Sequence, residues 1–264
     1  MAAPHHVQAP RQRRGAGPAD PSSRLGSRLH WNGSRRQIYI AAVAVAIVIV
    51  VALIAVSLLS GKSGKSAAKP IVGKAATSRL LAGIPQHGTT LGNSAAPYKL
   101  VEYADFQCPY CGEWARNVFP AVVAKYVRAG TVQIEYRGLD FVGADSKIAL
   151  QTALAAAGQN RFWNVADLLF RNQGTENTGW VTEPLLRGVV AAVPGLDVSS
   201  TLADRNGKAV AARAGAAARL AALDGVNQTP TFEFGSSVEP LQPLTFAALD
   251  ASAFTAAIDA AMKG

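Results

Sequence analysis

Cysteine is nearly absent from this chain of 264 residues: there are two, Cys108 and Cys111, both inside the stretch YADFQCPYCGEW. Two cysteines three positions apart exclude a disulfide framework. A disulfide closing so short a loop adds about 2 kcal/mol by chain entropy, against about 3 for a 15-residue loop, and a domain this large has a core of its own. Histidine is almost as scarce. His5, His6 and His30 precede a long apolar run, and His87 stands at the edge of the domain after that run, so the chain beyond His87 has none. Structural zinc takes four Cys or His ligands, and a Cys-His protease needs a base beside its thiol. Neither set exists here, and the adjacent His5 and His6 read as solvated tail residues. No repeat of fixed period appears.

Charge is sparse and uneven. Residues 1–36 hold seven Arg and one Asp, residues 37–79 add Lys62, Lys65, Lys69, Lys74 and Arg79, and the remainder has 14 basic and 16 acidic residues. The formal net charge of +9 therefore belongs to the N-terminal third. It gives no reason to expect nucleic-acid binding by the main domain. Basic flanks beside an apolar run are instead suited to anionic lipid head groups.

That run, IYIAAVAVAIVIVVALIAVSLL from Ile38 to Leu59, is 22 residues without a charge. As a helix it spans roughly 33 Å against a hydrocarbon core of about 30 Å. A cleaved signal peptide has an apolar core of about 7 to 15 residues and a small-residue cleavage site. This run is longer and SLLSGKSG offers no clean site, so residues 37–60 read as an uncleaved transmembrane signal anchor. Flanking charge leaves its orientation open, because Arg24, Arg28, Arg35 and Arg36 balance five basic residues after it.

Composition divides the rest of the chain. Residues 1–36, rich in Arg, Gly, Pro, Ala and Ser, form a disordered basic tail; residues 61–88 form a flexible tether; residues 89–264 form one domain. Strands are expected at Tyr98 to Ala104, Thr131 to Arg137 and Thr231 to Gly235, with a further candidate around Ser237 to Leu244. Cys108 to Arg128 reads as a helix kinked at Pro120. Residues of about 144–224 read as three to five helices, and Ala251 to Met262 as a closing helix capped by Asp250.

The cysteine pair fits one chemistry well. If a helix starts at Cys108, Pro109 occupies the first helical position, where its missing N–H costs nothing. The thiolate of Cys108 then faces the positive end of the helix dipole, and Cys111 lies one turn deeper on the same face. Cys108 is the expected attacking sulfur and Cys111 the resolving one.

These residues resemble the thioredoxin-fold proteins, and within them the DsbA-like thiol-disulfide oxidoreductases. VEYADFQCPYC is similar to the family's strand, loop and active-site helix, and the helical stretch holding RFWNVADLLF to its inserted helical domain. The resemblance implies an α/β thioredoxin-like fold with an inserted all-helical subdomain, following one transmembrane helix. It implies that Glu102, six residues before Cys108, is a buried acid that relays protons, and that Thr229 and Pro230 form a cis-proline loop. Thr229, Pro230, Pro109 and Tyr110 would bind substrate. No cofactor is implied beyond a redox-active disulfide between Cys108 and Cys111.

The activity implied is disulfide-bond formation in exported proteins. It would act on their thiols, on the extracytoplasmic side, with re-oxidation by a DsbB-like or VKOR-like membrane partner. The neutral Tyr110 stands where strongly oxidising members often carry His, which leaves open a disulfide reductase or isomerase. A non-catalytic peptide-binding holdase is a third reading, separated from both enzymes by a Cys108→Ser substitution.

Overall fold

The computed structural model describes residues 33–59 and 70–263. The expected tail, except residues 33–36, and the tether as far as residue 69 lie outside the described residues. Helix α1, Gly33–Leu59, has 27 residues, about 40 Å at 1.5 Å per residue. Among the described residues it is the one helix long and apolar enough to cross a membrane, and none of that window is buried against protein. Its apolar side chains are exposed, a pattern that fits a membrane anchor.

The second unit begins earlier than expected. Residues 74–88 are ordered: α2 spans Lys74–Leu81 and β1 spans Gln86–His87. Thr77 and Leu81 are buried, four positions apart on one face, and the Thr77 hydroxyl donates to Asp167. Lys, Gly, Ser and Ala fill seven of its 15 positions, and the buried Thr77 hydroxyl gains its partner from a helix residue 90 positions on.

Five more strands complete a mixed sheet: β2 Thr90–Leu91, β3 Tyr98–Ala104, β4 Val132–Gly138, β5 Thr231–Ser236, and, where the sequence predicts a longer strand, β6 of only Gln242–Pro243. Their order is β1-β2-β4-β3-β5-β6. The central pair β3 and β4 is parallel, and the remaining pairs are antiparallel. A parallel pair needs a crossover, supplied by α3 Pro109–Asn117, α4 Phe119–Val122 and a π-helical turn Val123–Val127. The expected single helix is broken at Val118 because Pro120 has no N–H to continue the ladder and instead opens α4.

From Gly138 the chain leaves the sheet for five helices, α5 Ala144–Ala157, α6 Phe162–Arg171, α7 Glu183–Ala191, α8 Val198–Asp204 and α9 Lys208–Leu223, before returning as β5. Helix α10, Ala251–Ala261, closes the fold, and the Asp250 carboxylate accepts from the Ala253 N–H at its start.

Alternation along β3 sorts its side chains between two faces. Leu100 and Ala104 join the main core with Trp114, whose ring lies 5.1 to 5.8 Å from those of Phe119, Phe232 and Phe254. Val101 and Tyr103 meet Leu139 and Ala221 in a smaller cluster. Glu102 is in phase with Leu100 and Ala104, so it points to the side that carries α3.

Candidate active site

Strand β3 delivers the chain into a loop whose turns are made by a buried carboxylate. Asp105 accepts the Gln107 N–H at 2.8 Å and the Val142 N–H at 3.0 Å, while its carbonyl accepts the Cys108 N–H at 3.1 Å. Cys108 is then the N-cap of α3, with extended φ −62° and ψ 120°, and Pro109 is the first helical residue. The helix begins where the spacing requires.

Two glutamines tie this loop to the inserted helices. Gln107 is fully buried, donates to the Ser146 hydroxyl at 3.0 Å and accepts the Asn177 N–H at 2.7 Å. The Gln173 amide donates to the carbonyls of Phe106 at 2.8 Å and Cys108 at 2.9 Å. Neither glutamine, nor Asp105 or Asn177, is among the expected site residues. Apart from the local turn that Asp105 makes with Gln107 and Cys108, the partners of these residues lie 35 to 70 residues away, so no local pattern marks them.

On the other side stands the loop before β5. The Thr229–Pro230 peptide is cis, as expected, and the Thr229 carbonyl accepts from the Cys108 thiol at 3.2 Å. This loop starts at Asp224, held by the Tyr103 hydroxyl and by Arg137 Nη1 at 3.3 Å on the reverse face of the sheet. Cys108, Cys111, Glu102, Thr229 and Pro230 are thus drawn from three separate parts of the chain. Tyr110 extends into solvent, with 64% of its surface exposed.

The two thiols are unbridged and differ in their surroundings. Cys108 is 6% exposed at the helix start and Cys111 is fully buried one turn in. The Cys108 thiol is lowered to about 6. The Cys111 thiol contributes most by donating to the Cys108 sulfur; the Thr229 side chain and the N–H groups of Cys111 and Tyr110 add to it, against the cost of burial. The Thr229 carbonyl favours the protonated thiol, but the donors around the sulfur outnumber that one acceptor. Cys111 is pushed up by burial, by giving its proton toward Cys108 and by the Cys108 charge.

Glu102 lies between Tyr136 and Phe232 in the sheet, 1% exposed. Among the described residues neither of its carboxylate oxygens has a hydrogen-bond partner. Burial, and then the Cys108 charge, push it well above the usual carboxylate range. An acid that holds its proton more tightly than an ordinary carboxyl therefore sits in the field of the two sulfurs. Chemically, the arrangement offers a stabilised thiolate at the helix start, a fully buried thiol one turn away and a buried acid of raised pKa. Among the described residues no group of three or more His, Cys, Asp or Glu gathers as a metal site would require.

Residues 86–259 match the family model described as Thioredoxin. Over 124 residues the chain is 33% identical to the probable disulfide bond formation protein D of Bacillus anthracis, an alignment covering 46% of this chain and 57% of that one. The chain therefore spans little more than half the length of that relative. Over 182 residues it is 33% identical to the Na(+)/H(+) antiporter NhaA 3 of Salinispora tropica, covering 68% of this chain and 26% of the antiporter. Among solved structures, oxidised BdbD from Bacillus subtilis superposes with a TM-score of 0.58 at 20% identity, covering 69% of this chain and 98% of that one. That likeness is one of fold, a thioredoxin-like sheet with inserted helices.

Proposed function

The chain belongs to the thioredoxin family, and from that membership we propose that it is a membrane-anchored thiol-disulfide oxidoreductase that forms disulfide bonds in exported proteins. The observation that carries this reading is the placement of the two thiols, Cys108 at the N-cap of α3 and Cys111 fully buried one turn in, which lowers the first to about 6 and raises the second.

In the oxidised enzyme a substrate thiolate attacks Cys108 Sγ, the Cys108–Cys111 bond breaks, and Cys111 leaves with the electron pair. Protonated Glu102 supplies the proton that the raised Cys111 demands. The substrate is now joined to Cys108. A second substrate thiolate attacks the substrate sulfur, its disulfide forms, and Cys108 leaves as a stabilised thiolate. Two electrons have passed to the cysteine pair. Because a low-pKa thiolate is the better leaving group and stabilises the reduced enzyme, the asymmetry drives electrons from substrate to enzyme. Thr229 and Pro230, beside the sulfur, offer main-chain groups for an extended substrate segment, and Pro109 and Tyr110 at the start of α3 add side chains to it.

Disulfide donors persist where glutathione and thioredoxin do not reduce them, so the catalytic domain lies on the extracytoplasmic side of the anchor. Re-oxidation falls to a quinone-linked membrane protein of the DsbB-like or VKOR-like kind. The reduction potential of the Cys108–Cys111 couple tests the direction. A value above about −180 mV is expected, and one at or below about −250 mV would overturn disulfide formation in favour of reduction.

A further inference from the structure

The three residues Arg171, Asn172 and Gln173 at the end of α6 reach in two directions. Asn172 grips the backbone of Val72 at both ends, its Oδ1 accepting the Val72 N–H at 2.9 Å and its Nδ2 donating to the Val72 carbonyl at 3.0 Å. Arg171 donates to Asp167 at 2.6 Å, and the same carboxylate oxygen accepts from the Thr77 hydroxyl. The Arg171 stem also closes over Gly73, where a Cβ would overlap its Cδ. Segment 72–77 is clasped by one end of one helix.

Gln173 turns the other way, to the carbonyls of Phe106 and Cys108. Carbonyls only accept, so the amide nitrogen must face them and the amide oxygen must face away. Arg116 Nη1 lies 3.5 Å from that oxygen, and the space it fills exists because residue 112 is glycine: a Cβ there would overlap Oε1. The held carbonyl of Cys108 keeps that residue extended, the conformation in which its sulfur faces the first N–H groups of α3.

We propose that Gln173 is a positioning residue for the reactive thiol and that segment 72–77, clasped by Asp167, Arg171 and Asn172, holds Gln173 in place. The stretch of chain after the apolar helix thereby bears on the geometry of Cys108. This rests on the reading of Cys108 as the attacking sulfur, and it concerns how that sulfur is held rather than which way electrons flow.

The test is the pH dependence of iodoacetamide alkylation at Cys108, read by mass spectrometry on the reduced full-length chain in detergent. Gln173→Met keeps the volume and removes the donor; it should raise the alkylation midpoint by about 0.5 to 1 pH unit, the scale of one hydrogen bond. Asn172→Ala should shift it the same way. Gln159→Ala removes a comparable pair of hydrogen bonds, to Thr201 and Asp197 in the inserted helices, and should lower the melting temperature without moving the midpoint. An unmoved midpoint in Gln173→Met, or an equal shift in Gln159→Ala, overturns the role of Gln173. An unmoved midpoint in Asn172→Ala overturns the clasp. If Gln173→Met does not fold, Gly112→Ala displaces the amide without removing it and must give the same shift. Alkylation needs no substrate, so loss of the proposed disulfide-forming activity would leave this result standing.

Discussion

Cys108 and Glu102 are both acids buried within reach of each other's charge, yet the first is lowered and the second raised. Donors make the difference: the sulfur has several, the carboxylate none among the described residues. The raised carboxyl has a consequence for stability. The native state holds a proton that the unfolded chain releases above about pH 4.3, so Glu102 lowers stability progressively as pH rises through that value toward the folded-state pKa. Glu102→Gln cannot release a proton. Its thermal midpoint at pH 7 to 8 should exceed that of the native protein by at least about 1 kcal/mol, roughly 2–4 °C, and the gap should close below about pH 4. A gap independent of pH in melting curves would show that Glu102 is ionised in the fold. At this scale the sequence was informative where a residue's partners are adjacent: Cys108, Pro109 and Cys111 define their own helix start. It was silent on Gln107 and Gln173, whose distinction is a hydrogen bond between the active-site loop and the inserted helices, 39 to 70 residues apart in the chain.

Among the elements, β4 and α5 approach closely through a glycine. Gly138 ends β4 against the buried Leu150, and a Cβ there would overlap Leu150 Cδ1 and stand 3.0 Å from the Tyr136 ring. Leu150 has no exposed side to swing to. Gly138→Ala should therefore cost about 1–3 kcal/mol in denaturant or thermal unfolding. Gly215→Ala, in the middle of α9 with nothing nearer than 3.4 Å, should instead stabilise by about 0.5–1 kcal/mol. The same contrast explains which elements were legible. β3, β4 and β5 carry their alternation within seven residues or fewer, and α10 announces itself with Asp250. α2, β1 and β2 are short and borrow their stability from distant residues, so composition alone made residues 74–88 look like a continuation of the tether.

For the whole molecule, the proposed anchor and the proposed disulfide chemistry together imply a topology that charge alone left undecided. In intact cells treated with a reductant, a membrane-impermeant maleimide should label Cys108. Labelling only after permeabilisation would reverse the proposed orientation. The arrangement of the chain also imposes an order of assembly. Cys108 emerges early in synthesis, but Thr229, the residue that accepts its thiol, comes 121 positions later, after the whole helical insertion. At about 5–20 residues per second, that interval is roughly 6–24 s. The first cysteine is thus made well before the loop that faces it, and a ribosome stalled within the inserted helices would leave a thiol pair without the carbonyl that accepts from Cys108.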